Sequence, residues 1–284
     1  MSGVPARPVA VITGTTHGIG RVTSLELARA GYTVVMLCRN VDAAAALAQE
    51  IRAQVPASLP EVTHCDLASL RSVRAAARAV LDRHGRIDRL VNNAGIVSTW
   101  HRFSVDGHEL TFATNHLGPF LLTRLLLPAL APGSRIINVA SKVHYRGRLD
   151  LDTVDDPRAG YNGIAAYSRS KLANVMDTLA LARRLSGSGI RVNCLHPGIV
   201  ATNLLPGWLN LIRPLFKRAI LTPEQGARTT LYLALDEQAG ALHGEYLDEH
   251  QRVRAAAPAA HDRLLQEQLL TRSAGWTGLN QAGA

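Results

Sequence analysis

A chain of 284 residues with 47% hydrophobic side chains holds enough apolar surface for one large α/β domain. No apolar run approaches the roughly 20 residues of a bilayer-spanning helix; residues 1–8 lack the apolar stretch of a signal peptide, so a cytoplasmic protein without a transmembrane anchor is expected. The formal charge of +9 is scattered over every predicted helix beside only 5% aromatic residues, which excludes a nucleic-acid partner in favour of a solvated, arginine-rich surface.

The first predicted element is a strand over 8–14, PVAVITG, rich in β-branched residues and followed by a glycine-rich turn and a helix over 21–30. The alternation continues with strand 32–38 and helix 41–54, strand 61–67 and helix 69–83, and strand 87–95 with a helical stretch over 106–128. A fifth strand at 134–141 precedes a long helix over 164–186, and a sixth strand lies at 190–198. Helix 223–236, strand 243–247 and a polar helix near 259–271 complete the chain. Continuous apolar strands separated by helices predict a single-domain α/β fold: a doubly wound (Rossmann) parallel sheet of about seven strands with helices on both faces. Its ligand crevice is expected at the carboxyl ends of the strands. No linker or repeat divides the chain, so residues 1–284 read as one nucleotide-binding domain. Cys38, Cys65 and Cys194 end predicted buried strands without metal-ligand spacing, so reduced core thiols and no metal are expected.

Three turns at that carboxyl edge carry chemistry. Thr13-Gly14-Thr15-Thr16-His17-Gly18-Ile19-Gly20 lies between the first strand and the first helix. Glycines there admit a pyrophosphate to the backbone, and the free N–H groups of the helix terminus favour its charge. The second strand ends at Cys38-Arg39-Asn40, where an NAD site would present a carboxylate to the ribose. Arg39 with His17 offers positive charge instead, which points to the 2′-phosphate of NADP(H), unless Arg39 is one more surface arginine. Asn92-Asn93-Ala94-Gly95 closes the fourth strand, either as a plain turn or beside a cofactor ribose.

The sharpest element is Tyr167-Ser168-Arg169-Ser170-Lys171 on the long helix, because residues i and i+4 share one helix face. A phenol with a pKa near 10 is a poor base at neutral pH, and a neighbouring cation favours the phenolate. A lowering of about 3 units requires roughly 4 kcal/mol, expected jointly from Lys171 and the positive charge of an oxidised nicotinamide. Only Lys142, Lys171 and Lys217 are lysines among 31 basic residues, so a lysine at this spacing is conspicuous. Ser141 ends the fifth strand, either to hold a carbonyl oxygen while Tyr167 donates a proton or as an ordinary strand-end serine. Asn115 lies inside a predicted helix, where an amide is not favoured; it either opens a proton relay or bonds to a neighbouring helix.

TGxxxGIG at 13–20, Asp66-Leu67, NNAG at 92–95, Asn115, Ser141, YxxxK at 167–171 and Pro197-Gly198 occur in one order over residues 8–250. In this the chain resembles the short-chain dehydrogenase/reductases. Cys38-Arg39-Asn40, NHLGPFLLT (115–123), SRIINVAS (134–141), YSRSKLAN (167–174) and LHPGIVAT (195–202) make it most similar to the retinol dehydrogenase, WW-domain oxidoreductase and protochlorophyllide reductase branches. The resemblance implies that Tyr167 is the acid/base, that Lys171 lowers its pKa and binds the nicotinamide ribose, that Ser141 orients substrate, and that Asn115 supports a water relay. It also implies that Asp66 with Leu67 contacts adenine, that Asn93, Ala94 and Gly95 line the adenosine side, and that Pro197, Gly198, Val200 and Thr202 meet the nicotinamide amide. Family members pair through the helix carrying the tyrosine, so a homodimer or homotetramer is implied as well.

Substrate specificity is expected from residues above the cofactor. Leu204, Trp208, Leu211, Ile212 and Leu215 fall at helical spacing in a lid near 203–220, interrupted by Pro206 and Pro214. As a lid they predict a small hydrophobic aldehyde, ketone or secondary alcohol; as core or oligomer contact they carry no such meaning. The competing functions are a catalytically silent NADP(H)-binding regulator, against which the full Asn115, Ser141, Tyr167 and Lys171 set argues, and a sugar-nucleotide epimerase or dehydratase, for which a sizeable C-terminal substrate domain is missing.

Overall fold

A computed structural model of the chain describes residues 7–154, 160–200 and 220–279. Strands β1 (Val9–Thr13), β2 (Thr33–Cys38), β3 (Glu61–His64), β4 (Ile87–Asn92), β5 (Leu130–Val139), β6 (Arg191–Leu195), β7 (Tyr246–Leu247) and β8 (Val253–Arg254) form one sheet. Their spatial order is β3-β2-β1-β4-β5-β6-β7-β8, and all neighbours are parallel except β7 and β8. The helices are α1 (Gly18–Arg29), α2 (Val41–Gln54), α3 (Leu70–Leu81), α4 (Leu110–Phe112), α5 (Gly118–Leu126), α6 (Gly163–Arg184), α7 (Pro223–Leu235) and α8 (Arg263–Thr277).

All five residues of β1 are buried because both faces of the sheet are covered. Val9 and Val11 enter a core with Val73 and Val80 of α3 and Leu121 and Leu122 of α5. Ala10 and Ile12 enter a second core with Leu25 and Leu27 of α1 and Leu47 and Ile51 of α2. The two-residue period of the strand thus divides one apolar run between two layers. Helix starts follow local chemistry: the side chains of Asn40, Ser69, Asn162, Thr222 and Asp262 each accept a first-turn N–H of α2, α3, α6, α7 and α8. Strand order reverses between β1 and β4, so the loops after these two strands diverge and a crevice opens at their carboxyl ends.

Three differences from the sequence reading have physical causes. The sheet has eight strands, because β8 is a pair of exposed residues held antiparallel to β7, too short to show an apolar pattern. The helical stretch expected over 106–128 begins at Leu110 and widens into a π-helical turn at Ala113–Leu117 before α5 resumes. The last helix runs Arg263–Thr277, since Asp262 caps it at Leu265 N and Gly278 closes it at φ 63°. No described helix is long and apolar enough to cross a membrane. The three cysteines are free and buried, and burial pushes the Cys65 and Cys194 thiols up to about 12.

Candidate active site

The turn between β1 and α1 is built for close approach. Gly14 (φ 69°) and Gly18 (φ 58°) occupy the left-handed region that a side chain disfavours. A Cβ on Gly14 would stand 2.8 Å from Ala94 Cα, and one on Gly20 would overlap Gly14 O and stand 2.5 Å from Asn93 Nδ2. Thr13 Oγ1 accepts from the N–H groups of Asn93 and Ala94 at 3.0 and 3.1 Å, and Asn93 Nδ2 donates to the carbonyls of Thr13 and Gly14 at 2.9 and 3.0 Å. The NNAG turn therefore braces the glycine turn through the Asn93 amide.

His17, the N-cap of α1, does not spend its side chain on the cap, and the first turn of α1 holds no acidic residue. Its Nδ1 pairs instead with Thr16 Oγ1 at 2.9 Å. Thr15 Oγ1 is buried with no hydrogen-bond partner among the described residues. Arg39 is exposed at the end of β2 and makes no ion pair among the described residues. Glycine-walled space, an orphaned hydroxyl, free helix N–H groups and the unpaired guanidinium of Arg39 fit a phosphate-bearing dinucleotide. Farther along the edge, the Asp66 carboxylate turns back to accept Ala68 N at 3.0 Å, and Leu67 is buried. Beyond β6, Gly198 has φ 78° and Val200 packs with Ile19 and Val22 of α1, which joins the Pro197–Val200 segment to the cradle. Thr202 and the lid expected at 203–220 lie outside the described residues, apart from Ile220.

On the other side of the crevice four distant segments converge. An ideal Cβ on Gly95 would stand 3.4 Å from both Asn115 Oδ1 and Lys171 Nζ. Asn115, fully buried in the π-turn, accepts Ile96 N at 2.8 Å and donates to Ile96 O and to Ser170 Oγ at 2.9 and 3.0 Å. The Asn115 side chain thus bonds both the loop after β4 and the neighbouring helix α6. Lys171 Nζ donates to Val139 O, the last residue of β5, at 2.8 Å and lies 5.7 Å from the Tyr167 ring centroid. The Ser141 side chain reaches the Tyr167 phenol and acts on it in the direction that favours the phenolate.

The charges behave differently from the expectation. Burial pushes the Tyr167 phenol up to about 12, against a smaller lowering by Ser141. The same burial holds Lys171 down to about 8. Lys171 therefore does not lower the phenol in the protein alone: its ammonium is committed to Val139 O, 5.7 Å from the centre of the ring. Desolvation of the phenolate prevails, and Tyr167 is held as a proton donor.

Two contributors carry no sequence signal of their own. Ser170 sits inside the tyrosine–lysine motif, where its spacing suggests nothing, yet its hydroxyl ties Asn115 to α6 and donates to Tyr167 O at 2.8 Å. The Val139 carbonyl is main chain, and every residue has one.

The profile of the short chain dehydrogenase family matches residues 8–209. Human Retinol dehydrogenase 13 is 40% identical over 97% of this chain and 86% of its own length. A crystal structure of an uncharacterized protein from Mycobacterium Paratuberculosis, 34% identical, superposes with a TM-score of 0.79 over 96% of this chain and 94% of that one. The blue fluorescent protein from a metagenomic library, solved in complex with NADPH, is 28% identical with a TM-score of 0.69, covering 85% of this chain and 95% of its own.

Proposed function

The chain belongs to the short-chain dehydrogenase family, an NADP(H)-dependent oxidoreductase fold acting between CH–OH and C=O, and on that premise we propose roles for its residues and a class of substrate. The observation that carries the reading is that the Tyr167 phenol meets the Ser141 side chain on the helix face that also brings Lys171 Nζ to Gly95 and Asn115.

Gly14, Thr16, His17, Gly18, Ile19 and Gly20 hold the pyrophosphate; Arg39 with His17 takes the 2′-phosphate. Asp66 and Leu67 flank adenine, Asn93, Ala94 and Gly95 line the adenosine side, and Pro197, Gly198, Val200 and Thr202 hold the carboxamide. The nicotinamide supplies or accepts the hydride. The protein handles the proton. In the reducing direction the Tyr167 hydroxyl gives its proton to the substrate oxygen while the Ser141 hydroxyl holds that oxygen in place. In the oxidising direction Tyr167 takes the proton back. Lys171 contributes positive charge and a ribose contact, and Asn115 fixes the loop after β4 against α6.

The substrate is a hydrophobic aldehyde, ketone or secondary alcohol. Trp100, Phe103 and Ile164 are large apolar side chains left 77%, 50% and 57% exposed on segments leading from β4 and into α6, a surface suited to apolar ligands. A carbonyl and alcohol panel assayed with NADPH and NADH tests this. Long apolar carbonyls are expected to outrun small polar ones, Tyr167→Phe to lose turnover while still binding NADPH, and Arg39→Asp to weaken NADPH. Full turnover in Tyr167→Phe sinks the catalytic assignment, and preference for small polar carbonyls sinks the substrate class.

A further inference from the structure

We propose that His144 is the positioning residue that fixes Ser141 opposite Tyr167, and that protonation of its imidazole releases the serine. This rests on the assignment of Ser141 and Tyr167 above. Ser141 starts a short turn, Lys142–Arg146, with an extended backbone, and the bond from Val143 N to its own hydroxyl is long, 3.4 Å. What holds it is His144, which donates twice to the Ser141 carbonyl, from its main-chain N–H at 3.1 Å and from Nδ1 at 2.8 Å. The other ring nitrogen, Nε2, accepts the N–H of Ala257 at 3.1 Å, across 113 residues of chain.

Partner chemistry dictates the state of the ring. A carbonyl only accepts, so Nδ1 carries the proton; a backbone N–H only donates, so Nε2 is bare. The imidazole is neutral, fully buried and packed against Tyr145 of its own turn and, edge-on, Tyr246 of β7. On the far side the turn is pressed onto α6: a Cβ on Gly147 would stand 2.7 Å from both Leu172 Cβ and Ser168 O, the residues next to Lys171 and Tyr167. The serine is thus clamped between the catalytic helix and the Ala256–Ala257 segment.

A second proton on His144 would set an N–H against the N–H of Ala257. The charged groups around it do not favour that proton. His196, at the end of β6, opposes it, and His196 is itself paired at 3.1 Å with Glu249, with Lys142 and Asp248 nearby. Tyr145 and Tyr246 are both held above the ordinary phenol range. Burial keeps His144 below the ordinary 6.5.

The test is the pH profile of kcat for wild type, His144→Phe and His144→Asn, with Tyr167→Phe and Ser141→Ala alongside, and ¹⁵N NMR of the ring. Phenylalanine keeps the ring and loses both bonds, so kcat should fall about tenfold or more with NADPH affinity unchanged. Asparagine places an amide nitrogen where Nδ1 stands, so it should restore kcat and remove the acid limb. The acid limb of the wild type should coincide with the protonation of the His144 ring followed by ¹⁵N NMR over the same pH range, since the second proton is the one that breaks the bond from Ala257 N. The spectrum at neutral pH should show a bare Nε2 and a protonated Nδ1. A His144→Phe enzyme within twofold of wild-type kcat, an acid limb that persists in His144→Asn, or the opposite tautomer overturns the proposal; His144→Asn decides if His144→Phe does not fold. Activity surviving in Tyr167→Phe and Ser141→Ala would instead overturn the catalytic assignment beneath it.

Discussion

The ammonium of Lys171 is buried, donates to one carbonyl and meets no carboxylate among the described residues. Its pKa, about 8 in the fold against 10.5 for a free lysine, means that the unfolded chain binds the proton more tightly. Stability contributed by this group therefore rises with pH between 8 and 10.5, and below pH 8 the charge costs about 3 kcal/mol. Lys171→Met removes that cost but strands the Val139 carbonyl, worth about 1 kcal/mol. The variant should be inactive yet melt a few degrees higher at pH 7, with most of the difference gone by pH 10. Tyr167 acts in the other direction above pH 10, where its raised pKa makes the unfolded chain the weaker proton binder, so the comparison belongs between pH 7 and 10. Thermal unfolding of both proteins at the two pH values checks it; a wild type no less stable than the variant at pH 7 refutes it. At this scale the tyrosine–lysine pair was legible because a four-residue spacing is a local property of a helix. The direction of the tyrosine's shift was not, because it depends on what surrounds the hydroxyl.

The strand–turn–helix unit of β1 and α1 is the element whose function reads most directly from its residues. Only glycine is tolerated at position 20, where a methyl group would meet Gly14 O and the Asn93 amide. Gly20→Ala should weaken NADPH binding by about tenfold or more, about 1.4 kcal/mol, because the turn and the NNAG brace must part to admit the methyl. Titration of cofactor fluorescence measures this, and an unchanged Kd would remove the cradle from the account. The π-turn at Ala113–Leu117 shows the opposite case. Asn115 marks it as an odd choice for a helix, but its partners, Ile96 and Ser170, lie 19 and 55 residues away. Nothing within the helix announces them.

Across the whole molecule, the helices that carry the site are joined by a buried ion pair between Arg124 of α5 and Asp177 of α6, 5% and 7% exposed. The guanidinium also lies 4.0 Å from the Phe120 ring centroid. Removing one partner strands a charge, so Asp177→Ala should cost about 3 kcal/mol or more in urea unfolding, whereas Arg124→Met with Asp177→Leu should cost much less. Equal losses in the single and double variants would show that packing, not the stranded charge, sets the cost. What the sequence by itself determined is everything with a short period: the alternating apolar runs of a parallel sheet, the glycines of the phosphate turn and the Tyr167–Lys171 face. Tertiary structure alone decided the meeting of Gly95, Asn115, Ser141 and Lys171, the bonds to Val139 and Ala257, and the upward shift of the phenol. The physical reason is that the first set follows from dihedral preferences and burial within a few residues, while the second depends on sheet order and on the dielectric of a core assembled from segments far apart in the chain.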